Sequence, residues 1–169
     1  MYYQPRQILS ITALDLSEDK TILSTKNDEI MVSIFHLYKV NDDWVANGYH
    51  LPIHIFDSTS KTFFPKSDTF ITAKLHTENE IWICLTEIDE DSSEDSTHRT
   101  LLQLINSKGY NALDSKSTVD AEIHDNDFLG YIRLPVFASK LQTEYIIQGQ
   151  DLFDKYKYEL IIKTHKTTL

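Results

Sequence analysis

Several windows of the chain alternate apolar and polar side chains, the period that places one face of a strand on a core and the other in water. Seven such windows stand out: Ile8 to Asp15, Glu29 to Tyr38, Leu51 to Phe56, Thr69 to His76, Glu80 to Glu87, Phe128 to Leu134 and Tyr156 to Thr164. In the last of them Tyr156, Tyr158, Leu160 and Ile162 point one way, while Lys157, Glu159 and Lys163 point the other, as in a half-solvated antiparallel strand. One stretch breaks the pattern. From Ser96 to Ile105 the apolar residues recur at helical spacing, with Ser96 available as an N-cap and Lys108-Gly109 as a basic last turn and stop. Polar stretches at Lys20 to Lys26, Lys39 to Asp43, Asp57 to Lys61 and Ala112 to Thr118 read as loops. Four glycines and four prolines are few for so many turns, which shifts the turn chemistry onto asparagine, aspartate and serine. The pattern predicts a mainly β chain, an antiparallel β-sandwich of seven to eight strands with one short helix in a long loop.

Composition narrows this reading without redirecting it. A chain of 169 residues, 41% hydrophobic and 25% charged, fits a single domain over residues 1–169 with a core of its own. The only cysteine, Cys84, lies in the apolar run Ile81-Trp82-Ile83-Cys84-Leu85 and packs there as a small hydrophobe. No basic segment followed by a long apolar stretch opens the sequence, and no apolar run approaches membrane-spanning length, so the expected location is the cytoplasm, with a peripheral membrane contact as the further option. A formal net charge of -10 argues against a nucleic-acid partner, because phosphate contacts need lysine or arginine to replace counterions.

The acids gather near predicted strand ends. Asp15, Glu18, Asp19 and Asp28 bracket the first long loop; Glu87, Asp89, Glu90, Asp91, Glu94 and Asp95 follow the Trp82 strand; Asp120, Glu122, Asp125 and Asp127 form a third group. Calcium takes six to eight oxygen ligands from flexible loops, so carboxylates one residue apart at a strand exit, such as Asp89 and Asp91, can face one ion. The same residues also serve as solvated loop acids that keep a protein soluble.

Two pieces of sequence carry a family resemblance. Ile11-Thr12-Ala13-Leu14-Asp15-Leu16 leads to Asn27-Asp28-Glu29-Ile30-Met31-Val32, and Ile81 to Leu85 precede Asp89-Glu90-Asp91, with Asp127-Phe128-Leu129-Gly130-Tyr131-Ile132-Arg133-Leu134-Pro135 further on. Together they resemble the C2 domain, an eight-stranded calcium- and phospholipid-binding sandwich. The resemblance implies a C2-like fold, calcium as cofactor, and a metal site of Asp15 or Asp19, then Asp28, Asp89, Asp91 and Asp127, gathered from two loops at one end. It also implies contact with anionic membranes through the bound ions. The family keeps the last aspartate close to the preceding pair; here residues 92–126 intervene, either as a loop insertion or with Val119 to Ile123 as an additional strand turning through Asp125-Asn126-Asp127.

Other chemistry is sparse. His50 and His54 on one strand would stand about 13 Å apart, too far for one zinc. His124 beside Asp125 and Asp127 has the ligand types of a transition-metal site and equally those of a polar turn. Trp44, Tyr49, Phe56, Phe63 and Phe64 either fill the core or form an exposed patch, with the core expected. No nucleophile elbow, phosphate-cradling glycine loop or paired C-x-x-C occurs, so no catalytic residue is assigned and the chain is not expected to be an enzyme. The expected function is a non-catalytic binding module or adaptor, an ion-independent protein-interaction scaffold within a larger assembly. The alternative is a calcium-dependent phospholipid- and membrane-binding domain using the acidic loops.

Overall fold

The computed structural model describes residues 3–16, 27–66, 70–74, 79–89, 92–124, 126–135, 138–150 and 155–166. Its strands are β1 (Tyr3–Asp15), β2 (Asn27–Val40), β3 (Asp43–His50), β4 (His54–Asp57), β5 (Thr62–Phe63), β6 (Phe70–Lys74), β7 (Asn79–Glu87), β8 (Asp127–Leu134), β9 (Gln142–Gln150) and β10 (Lys155–Thr164). Two helices, α1 (Glu94–Lys108) and α2 (Lys116–Ile123), lie between β7 and β8. The strands form two antiparallel sheets. One runs β5-β1-β10-β9 with β6 also on β1, and the other runs β3-β2-β7-β8 with β4 also on β2. The mainly β antiparallel sandwich expected from the alternation is therefore the fold.

The sandwich core follows directly from that alternation. Tyr156, Tyr158, Leu160 and Ile162 of β10 face inward, all nearly inaccessible, and meet Ile8 and Ile11 of β1, Ile30, Val32 and Ile34 of β2, and Ile81, Ile83 and Leu85 of β7. Leu129 and Ile132 of β8 both join this core although they are three positions apart, which on a regular strand puts them on opposite faces. A bulge reconciles them: the β7–β8 register slips between Leu85 and Thr86, and Gly130, at φ 139°, takes a backbone conformation that a side chain would strain.

The second sheet is apolar on both faces. Between the inward residues of β2 lie Met31, Phe35 and Leu37, and between those of β7 lie Trp82 and Cys84; these point outward and are buried all the same. Full burial of a large apolar side chain contributes roughly 1.5–3 kcal/mol, so this face has to be covered. The helices cover it. Leu101, Leu104 and Ile105 of α1 and Val119 and Ile123 of α2 pack on it, making a third layer.

Several sequence expectations shift in detail. Helix α1 begins two residues before Ser96, because Ser93 is the N-cap: its side chain accepts from the Ser96 backbone N–H at 3.3 Å. The stop stands as predicted, with Gly109 at φ 73° closing the last turn. Residues 116–123 are the helix α2, capped by Ser115, and not an additional strand. Leu51 to Phe56 splits at Pro52, and only His54–Asp57 pairs as a strand. The alternation does not predict β3, β5 or β9. The first is made possible by Asn41 (φ 49°) and Asp42 (φ 73°), which form a two-residue hairpin turn of the type that twists with its strands. Asparagine and aspartate here do the work that glycine usually does.

Asn106 on α1 ties the cap to the sheet, because its side chain accepts from the Ala46 backbone N–H (2.9 Å) and donates to the Ala46 carbonyl (3.1 Å). In effect it is a one-residue substitute for a neighbouring strand on β3. Asn106→Ala is expected to lower the unfolding free energy by about 1–2 kcal/mol, since it removes two bonds to strand backbone. Denaturant titration checks this, and an unchanged midpoint would mean that α1 does not hold the β3 edge.

Candidate interaction surface

Of the carboxylates picked out by the resemblance, Asp15, Asp28, Asp89 and Asp127 lie among the described residues, each at or near the end of a paired strand. Asp15 closes β1, Asp28 lies in the first turn of pairing of β2, Asp89 follows β7 and Asp127 opens β8. Asp19 and Asp91 lie outside the described residues. The four described side chains have separate surroundings. Asp28 is fully buried and accepts a hydrogen bond from the Tyr158 hydroxyl, whose pKa burial, together with the Asp28 charge, pushes far above its ordinary value. Asp15 lies 3.9 Å from the Lys155 ammonium, and Asp127 lies 3.9 Å from that of Lys116. The Asp89 backbone N–H donates to the Asn126 side chain at 3.0 Å, while the residue is otherwise exposed. Among the described residues no group of three or more His, Cys, Asp or Glu side chains is placed to hold a metal ion.

Two histidines, His98 and His50, serve the layer between sheet and helices. His98 of α1 stacks on Phe35 at 5.0 Å and shares a 2.9 Å hydrogen bond with the hydroxyl of Ser33, a buried polar residue on the otherwise apolar outer face of β2. Burial, and next the charge of nearby His50, lower the His98 pKa, so it sits there neutral. His50, at the end of β3, has both ring nitrogens on acceptors: Nδ1 on the Leu51 carbonyl (3.0 Å) and Nε2 on Asp95 of α1 (2.8 Å). Only the doubly protonated ring can donate to both. Burial works against that charge, but the bonds to Asp95 and Leu51 and the charges of Asp95 and Glu94 outweigh it and raise the pKa. His54 is not its partner for a metal; it stacks on Phe63 at 4.4 Å.

A second polar cluster fixes the far side of the cap. Trp82, fully buried, donates from Nε1 to Glu80 at 2.8 Å, and the Tyr110 hydroxyl donates to the same carboxylate at 2.7 Å. The Arg133 guanidinium covers the Tyr110 ring at 3.9 Å and the Trp82 ring at 5.0 Å, and donates to the Tyr110 carbonyl and to Asp114. These contacts tie β3, β7 and β8 to the segment between β7 and β8. Of the aromatic residues in the middle of the chain, Phe56 is core, whereas Tyr49 and Phe64 are exposed, Phe64 by 71%.

What the fold leaves open is an edge. A sheet edge presents unpaired backbone N–H and C=O groups, which natural proteins shorten, cover or charge. Here β4, β5 and β6 are short, at four, two and five residues. Strand β3 is met by Asn106, and on β8 the Phe128 N–H donates to Asp120 of α2 at 2.8 Å. Strand β9, nine residues long, pairs with β10 on one side, and its other side has no partner among the described residues. It contains no proline or lysine, a single charge at Glu144, and an unbroken register with β10 from Gln142 to Gln150. Beside it, between β8, β9 and the start of α2, lies a cavity of about 390 Å³ lined by Asp114, Lys116, Tyr131, Gln148, Gln150 and Tyr156 among others. That is the size of a small binding pocket. A signal for β9 exists in the sequence: Thr143, Tyr145 and Ile147 alternate with Gln142, Glu144 and Gln148, but Ile146 interrupts the polar row and hides the period.

No protein-family model matches the chain, and no curated protein matches it. Among the described residues no helix is long and apolar enough to cross a membrane.

The His50 geometry sets a pH dependence. A histidine whose folded pKa is raised adds stability below its unfolded pKa of about 6.5, and that contribution is lost as pH rises through the folded value. His50→Gln is therefore expected to lower the melting temperature clearly near pH 5.5 and little near pH 8. Equal losses at both, read by thermal unfolding across pH, would remove the charged His50–Asp95 pair from the account.

Proposed function

We propose that this chain is a non-catalytic protein-interaction module that binds an extended polypeptide segment by strand addition to β9, without a metal ion. The observation that carries this reading is the contrast among the edges: the long strands β3 and β8 are met by helix side chains, while β9 keeps its outer edge free among the described residues. In strand addition the backbone supplies affinity and pockets beside the edge select alternate side chains. The cavity next to Gln148 and Gln150 offers such a pocket.

The acidic end gives less support to calcium-dependent phospholipid binding. Asp28 is buried against Tyr158, and Asp15 and Asp127 each lie near a lysine, so an ion there would have to displace existing partners. The acids then act to keep a chain of net charge -10 soluble and to favour basic partners.

Selection of nonapeptides on the immobilised protein, in chelator, is expected to yield binders that slow amide hydrogen exchange at alternate β9 residues. Melting in chelator, in calcium and in magnesium should coincide, whereas an ion held at a hundred times its dissociation constant would add about 2.7 kcal/mol. A calcium-specific rise in melting temperature, or binders whose protection maps to Asp89 and Asp127 and disappears in chelator, would move the function to the acidic loops.

A further inference from the structure

We propose that the strand added to β9 is β9 of a second copy of this chain, paired antiparallel about a twofold axis through Ile146. The inference rests on the strand-addition reading and names its partner.

The sequence of the edge complements itself in that register. With Ile146 opposite the partner's Ile146, Gln142 meets the partner's Gln150, Thr143 the partner's Gly149, Glu144 the partner's Gln148 and Tyr145 the partner's Ile147. Like charges directly opposite one another destabilise a strand pair, and the one formal charge of β9 is placed against an amide on both sides of the axis. The repulsion between two acidic bodies is long-range and screened within about 8 Å at physiological salt.

Both faces of the joined strands fit. On the outer face Ile146, 38% exposed where its neighbours Glu144 and Gln148 are polar, would contact its own copy at the axis. On the inner face Ile147 is buried in the sandwich core and Tyr145 packs against it, so pairing Tyr145 with the partner's Ile147 carries the core seam across the junction. Strand β9 also lacks the bulges that interrupt β1 and β8, and its pairing with β10 is regular from end to end, which keeps the outer backbone groups in line. A twofold contact of this kind consumes both edges at once and closes, whereas head-to-tail pairing would leave an edge open.

The register can be tested with one exposed position. Gln148→Lys sets an ammonium opposite the partner's Glu144 twice per dimer, and Gln148→Glu sets a carboxylate there twice. Sedimentation equilibrium over a concentration series is expected to show a monomer–dimer equilibrium in which the lysine variant binds tighter and the glutamate variant weaker, each by about threefold to tenfold. The double variant Glu144→Lys with Gln148→Glu should recover the lysine variant's affinity. Circular dichroism checks that each monomer is folded, and amide exchange of β9 in the unaltered protein should slow as concentration rises. A protein that stays monomeric up to about millimolar concentration, or a dimer indifferent to residue 148, overturns the proposal. If that monomer still binds selected nonapeptides along β9, the strand-addition reading stands and only the identity of the partner fails; if the peptides map elsewhere, both fail.

Discussion

The outer face of the β3-β2-β7-β8 sheet is the constraint on which the rest of the molecule depends. Met31, Phe35, Leu37 and Trp82 project from it, and each would forfeit roughly 1.5–3 kcal/mol if left in water. Together that is comparable to the whole net stability of a domain. The segment between β7 and β8 therefore folds back as two helices, and the sandwich becomes three layers deep. A strand buried on both faces no longer alternates cleanly, and within the windows read as alternating, β2 and β7 also carry buried apolar residues on their outer faces.

Covering that face brought polar groups with it, and several of them are paired there. Ser33 meets His98, and Trp82 and Tyr110 share Glu80. Asn126 holds the β7 exit to both helices through the Asp89 N–H, the Thr97 hydroxyl and the Ile123 carbonyl. A buried polar group without a partner costs about 1–3 kcal/mol, so these contacts fix where the helices lie as much as the apolar packing does.

The same cap distributes the edges. By reaching β3 through Asn106 and β8 through Asp120, the helices close the long borders of their own sheet. In the opposite sheet, the outer side of β9 meets no strand or helix side chain by hydrogen bond among the described residues. The proposed interaction at β9 is thus a consequence of which face needed covering and which did not.

The sequence by itself determined the strands that are buried on one face. Tyr156 to Ile162 and Ile8 to Ala13 declare their inward rows because water on the other side selects polar residues, and Lys108-Gly109 marks the helix end because glycine takes φ 73° with ψ -145° most readily. It placed acids near predicted strand ends, but not Asp28 in a buried contact with Tyr158, since that contact joins residues far apart in the chain. Strand β3 was hidden by its half-exposed pattern, and α2 by a short polar stretch whose helicity comes from packing Val119 and Ile123 on the sheet. Above all, whether a strand is an edge is not a local property. Residues 142–150 specify an extended segment with an inner row of Thr143, Tyr145 and Ile147, but only the order of strands in space decides that one side of β9 pairs with β10 and the other is left without a neighbour among the described residues.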